Sequence, residues 1–328
     1  MILALLLACA RDNDQAVDPE AAAILAVKEQ TAAALSDLAA AAQDLQAVAP
    51  AGTWAPADAD GLKAPWQEAR RSYERVEGAI AVLFPALDRS LDERYDGFLA
   101  EAPDPNLFDD DGVIGVHAVE RIVWADQHPA AVIAFESALP GYTPAAFPAD
   151  DAQAAAFREA LCQRLVDDTV QMQADFAPLA LDAPAAFRGV IASMAEQYEK
   201  INLAHSGEDE SRYAGHTLAD MRANLDGGRA TYRAFAPWLQ AEGGDDLHAE
   251  IQDAFDRIDE AYAAIPGDAV PAVPLTWDPA NPTAADLATP YGQLWTLLAE
   301  EADPTLAGSL VERLGAAADR LGIPQLPQ

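Results

Sequence analysis

The stretch PEAAAILAVKEQTAAALSDLAAAAQDLQAV, residues 19–48, decides the fold class. Alanine has the strongest intrinsic helix preference, and the Leu, Glu and Gln between the alanines lose little rotamer freedom in a helix. Pro50, Gly52 and Pro56 close the run, because proline cannot continue a helix and glycine loosens one. The same texture recurs outward from it. A second helix is predicted over about 63–83, with Trp66, Ala69, Tyr73, Val76, Ile80 and Leu83 on one side at helical spacing. Pro85 ends it, and a short helix over about 86–99 leads to a loop holding Pro103, Pro105 and Asp109 to Asp111. Helices follow over about 115–124, 151–176, 184–203, 213–239, 245–265, 284–302 and 305–321. Alternating Val and Ile runs, the mark of strands, are rare. The expectation is an all-α protein made of two up-and-down helical bundles packed side by side. The helical domain should span residues 19–325, with its two halves meeting near 126–150, where Pro and Gly concentrate.

Composition narrows the function. Of 328 residues 51% are hydrophobic, enough for a sizeable core, but only 7% are aromatic. The formal net charge of −34 argues against nucleic acid and anionic headgroups as partners, since both would be repelled, and leaves cations as natural ones. The N-terminus is apolar from Met1 to Ala8, and Leu6-Leu7-Ala8-Cys9 resembles a bacterial lipobox. Residues 1–18 then read as the remnant of a signal peptide followed by a polar tether. Cys9 is the expected lipidation site, and the lipid anchor the sole contact with the membrane. The apolar piece is too short to span a bilayer. Cys162 is then the one cysteine left, so no internal disulfide is expected.

Gly115-Val116-His117-Ala118-Val119-Glu120 carries the most chemistry. Residues three apart on a helix share a face, so the His117 imidazole and the Glu120 carboxylate can reach one point. Nitrogen plus oxygen donors suit iron, zinc or manganese better than calcium or magnesium. Helical bundles build metal sites from Glu and His at this spacing. An incidental pair is the alternative.

Three segments read together in order. The first is Ala69-Arg70, Tyr73-Glu74 and Glu77. The second is the His117 segment. The third is Gly207-Glu208-Asp209-Glu210, running on to His216-Thr217 and Ala223-Asn224-Leu225-Asp226-Gly227. Together they resemble the imelysin-like family, most closely its EfeO/EfeM-type bacterial iron-uptake branch. The resemblance implies a helical protein of the cell envelope, facing the periplasm or the exterior. It implies iron as the bound metal, and an iron permease and a peroxidase of the same uptake system as partners. His117 and Glu120 carry over directly. Glu77 is the third expected ligand, since it borders the buried stripe, whereas Glu74 reads as a solvated acid. Asp168 looks similar to a family acid on the helix after the motif, with Asp167 as its competitor. Glu208 matches the first acid of the family loop, with Glu210 as an alternative. An extra residue in Tyr213-Ala214-Gly215-His216-Thr217 sets His216 apart from the family pattern.

The family's name derives from a peptidase, so an enzyme is the rival. The chain carries neither H-E-x-x-H nor G-x-S-x-G, and Cys162 sits in an Ala- and Leu-containing helix as a small packed side chain. No catalytic activity is expected. Zinc or copper binding without catalysis, and a plain adhesion lipoprotein, complete the alternatives.

Overall fold

A computed structural model describes residues 18–324, so Cys9 and the leader-like segment lie outside the described residues. Among the described residues all regular structure is helical. The first half comprises α1 (Pro19–Val48), α2 (Pro56–Glu74), α3 (Glu77–Leu83), α4 (Pro85–Asp92), α5 (Tyr95–Glu101), α6 (Gly115–Val123), α7 (Ala130–Glu136), α8 (Asp151–Ala156) and α9 (Cys162–Phe176). The second comprises α10 (Ala183–Leu203), α11 (Thr217–Ala241), α12 (Asp245–Ala263), α13 (Ala284–Leu287), α14 (Pro290–Ala302) and α15 (Leu310–Arg320). None of the described helices is long and apolar enough to cross a membrane.

Two apolar cores form, and α1 serves both. Its Leu35, Leu38 and Leu45 pack with Trp66, Tyr73, Val119, Phe157 and Met172 in the first. Its Ala23 and Val27 join Phe187, Tyr232, Phe235, Phe255 and Leu314 in the second. The chain passes from one core to the other between Phe176 and Ala183. Residues 126–150, where the sequence suggests a boundary, pack on the first core through Val132, Leu139, Tyr142 and Phe147.

Two predicted helices are interrupted, and both interruptions matter. The helix expected over 63–83 begins earlier, where the Asp58 carboxylate accepts the Ala55 N–H at 2.7 Å, and it breaks at Arg75 and Val76. There α11 crosses at backbone contact: a Cβ on Gly227 would run into the Arg75 carbonyl. The helix expected over 86–99 divides into α4 and α5 at Glu93 and Arg94, both extended. Each break leaves acids at helix ends beside the same interior space. The stretch 151–176 is helical throughout, with one π-helical turn over Phe157–Leu161 between α8 and α9.

Gly115 opens α6 with φ +82°, a conformation side chains rarely adopt, and a Cβ there would collide with the carbonyl oxygens of Ser90 and Leu91. Helix α6 is thus pressed onto the backbone of α4. Gly115→Ala should lower stability by about 2 kcal/mol or more, through both strain and collision. Urea unfolding of wild type and variant checks this, and equal midpoints would refute it.

Candidate metal centre

All nine residues of α6 are buried, so its polar side chains must find partners inside the protein. Trp66 Nε1 donates to the Val116 carbonyl at 2.9 Å and pins the helix to α2. Glu120 Oε2 lies 2.9 Å from His117 Nδ1, while Glu120 Oε1 accepts the backbone N–H groups of Tyr213 at 2.9 Å and Ala214 at 2.8 Å. Both Glu120 oxygens are therefore engaged. A carboxylate only accepts, so Nδ1 carries the proton and the ring orientation is fixed. The other nitrogen, Nε2, is buried and has no hydrogen-bond partner. It lies 3.2 Å from Asp92 Oδ1, within ion-pair range but out of line for a hydrogen bond. Glu120 thus orients the imidazole, with both of its oxygens already accepting hydrogen bonds.

His117 Nε2 faces Asp92, the last residue of α4, and Glu210, in the loop before α11. One donor atom from each of the three lies within 4.8 Å of the others. Behind them Arg70 pairs with Asp92 and Glu74 and lies 3.3 Å from Glu210 and 3.4 Å from Asp220. Lys200 Nζ sits 3.0 to 3.1 Å from both oxygens of Glu74 and of Glu77. Asn224 Nδ2 donates to Glu77, and Ser193 and Gln197 donate to Asn224 Oδ1 at 3.0 and 2.6 Å. Five carboxylates (Glu74, Glu77, Asp92, Glu210 and Asp220) thus surround two permanent cations. The deficit of positive charge is what a bound cation would supply.

A cleft of about 370 Å³ opens onto this cluster, lined by Glu77, Asp88, Asp92, Glu196, Lys200 and Glu210 among others. Titration behaviour follows from burial and neighbours. Burial acts to lower the Lys200 pKa, but Glu210, Glu74 and Glu77 together hold it well above the ordinary lysine value. Burial raises Glu77, and neighbouring Glu74 adds to the rise. Burial would also raise Asp92, but Arg70 and His117 hold it below the usual carboxylate range. His117 is pushed up to about 9: burial and Arg70 oppose its charge, and Asp92 and Glu120 outweigh them. Burial pushes Asp220 and Glu196 up to about 7.

The residues singled out in the sequence fall into three groups. His117 and Glu77 belong to the cluster, and Glu120 stands directly behind His117. Asp168 and Glu208 lie outside it. The Asp168 carboxylate takes Arg164 Nε at 2.9 Å and Ser90 Oγ at 2.5 Å, on the far side of α4. Glu208 is half-buried and contributes its carbonyl to Arg94 Nη1 at 2.9 Å; two residues on, Glu210 enters the site. Glu74, which the sequence suggests is solvated, is buried beside Arg70 one turn earlier on α2 and Lys200 from α10. His216 is also buried, packing on Trp66 apart from the cluster, and its pKa is lowered by burial to about 4. Asp92 and Lys200 carry no motif. Their signal is a polar residue at helical spacing on a buried face, as in Ser193, Gln197 and Lys200.

The imelysin family profile matches residues 31–300, most of the chain. The chain belongs to the imelysin family. A solved imelysin-like protein from Psychrobacter arcticum 273-4 shares the fold, with a TM-score of 0.60 at 14% identity over 95% of this chain and 98% of that one. Among curated proteins, the iron uptake system component EfeO of Escherichia coli K12 is 26% identical over 206 residues, 63% of this chain and 45% of that protein. EfeO of Shigella flexneri matches to the same extent. This imelysin chain therefore spans less than half the length of those relatives.

The raised groups make the metal-free protein sensitive to alkali. His117 titrates near 9 in the folded chain and near 6.5 unfolded, so its stabilisation is complete below pH 6.5 and lost as pH rises through 9. Glu77, Glu196 and Asp220 act in the same direction. Between those limits His117 alone should reduce stability by about 1.4 kcal/mol per pH unit. Denaturant unfolding with a chelator present measures this. His117→Gln should flatten the dependence, and a wild-type profile already flat over the window would contradict it.

Proposed function

We propose that this chain captures iron outside the cytoplasmic membrane for an uptake permease. The ion is held between His117 Nε2 and the carboxylates of Asp92 and Glu210. One observation carries the reading: a buried imidazole nitrogen without a partner, in a ring oriented by Glu120, aimed at two carboxylates. One imidazole and two carboxylates suit iron, and also accept zinc. The relatives named as iron uptake components favour iron as the cargo. An uptake permease, with a peroxidase of the same system, is the partner set this role entails. Anchoring through Cys9 is part of the proposal.

The family designation, Peptidase M75, motivates a second reading as a peptidase. Cys162 offers it no support, because the thiol is fully buried and burial pushes its pKa far up.

Elemental analysis after loading with iron(II) alone, without oxygen, tests the assignment. Wild type should retain iron, whereas His117→Ala, Asp92→Asn and Glu210→Gln should lose it. Glu120→Gln should weaken affinity by about 10- to 100-fold, as expected of a residue that orients a ligand. Asp168→Asn and Glu208→Gln should bind as wild type does. Equal loading of wild type and His117→Ala would end the proposal, and cleavage of a peptide library would favour the rival.

Protons compete with the ion. With a pKa of about 9 the free imidazole is charged at neutral pH and must lose its proton to bind. Affinity should therefore rise roughly tenfold per pH unit between about 6 and 8. Titration calorimetry in buffers of different ionisation heat should register one proton released per ion. An affinity independent of pH would show that the imidazole is not a ligand.

A further inference from the structure

The cluster contains two adjoining positions tight enough for a cation. One is Asp92, His117 and Glu210; the other is Glu74, Glu77 and Glu210, again with one oxygen from each within 4.8 Å of the others. Glu210 belongs to both. The second position already holds a cation, the protein's own. Lys200 Nζ lies within 3.1 Å of four carboxylate oxygens of Glu74 and Glu77, and 3.8 Å from Glu210. The Lys200 side chain is 4% exposed, so water does not screen these contacts. A metal ion drawn to the same oxygens would need the volume that the ammonium fills.

We propose that Lys200 is a tethered counter-ion that fills the second position and limits the pocket to one external cation, held at Asp92, His117 and Glu210. The inference rests on the cation-binding reading above and adds what sets the stoichiometry. Lys200 offsets one of the two charges of Glu74 and Glu77 without competing for His117. Through the shared Glu210 it also weakens the hold on the ion in the first position, which favours release of a cargo.

Zinc is the probe, because it undergoes no redox change, and bound zinc is counted by equilibrium dialysis with elemental analysis. Wild type and Lys200→Arg should bind one ion, and Lys200→Met two. Lys200→Met combined with Glu77→Gln should return to one. One ion bound by Lys200→Met, or two by wild type, overturns the inference while leaving the cation-binding reading intact. No zinc and no iron bound by wild type removes both. A measurement on wild type covers the case in which Lys200→Met does not fold. The sequence has three lysines, Lys28, Lys63 and Lys200, so labelling by an amine acylating reagent is read residue by residue in the intact protein. Lys63, with a side chain 22% exposed, is the internal standard. Lys200 should stay protected with and without saturating zinc. Zinc-induced labelling of Lys200 would mean that the ion displaces the ammonium, and the inference would fall.

Discussion

The structure depends on keeping five clustered carboxylates from repelling one another, three of them buried and two bordering the cleft. Desolvating a carboxylate costs several kcal/mol, and gathering several in one place multiplies the penalty unless opposite charge is equally close. Arg70 and Lys200 supply that charge from two different helices, α2 and α10, which draws the two halves of the chain onto a common centre. Arg70 reaches α4, α11 and the loop before α11, while Lys200 reaches back across to Glu74 and Glu77. The polar cluster is therefore a structural joint as well as a candidate binding site. Its excess of negative charge over permanent positive charge is what the proposed external cation would offset.

Helix α6 shows how a motif divides its labour. His117 and Glu120 share a helix face, and that proximity lets the carboxylate grip the ring. Glu120 is held in turn by two backbone N–H groups of the loop that follows Glu210. The same loop thus places the Glu210 carboxylate within 4.8 Å of His117 and, through Glu120, steadies the ring. Gly115 allows the close approach of α6 to α4 that brings Asp92 to the ring.

The fold class was legible because its signals are local: alanine-rich runs, helical stripes, and proline at the ends. The breaks were not. Tertiary contacts impose them, as where Gly227 meets Arg75, and a stripe that continues through Val76 and Ile80 gives no warning. Glu74 read as solvated because its buried partner Lys200 comes from α10, far along the chain. His117 and Glu77 were recognisable, one from its motif and the other from its place beside an apolar stripe. Asp92 ends a short helix among many acids, and Glu210 could not be told from Glu208 without the path of the loop. Asp168 has a plausible position along the helix, but α9 turns it toward Arg164 and Ser90. In a chain with 54 acidic residues, position alone cannot select those that meet.

The placement of charges separates what is fixed from what can adjust. Arg70 and Lys200 stand on long helices packed on both sides, so the positive centres are rigidly set. Asp92 closes a short helix just before the extended pair Glu93 and Arg94, and Glu210 lies in a loop. Such segments open at lower free energy than packed helices. The bond from Arg94 to the Glu208 carbonyl ties the two segments together, so a movement of one draws on the other. The carboxylates of Asp92 and Glu210, which border the cleft, are thus carried by a helix end and a loop, beside an imidazole oriented by Glu120. An ion bound as proposed above would enter and leave through these two segments, which border the cleft.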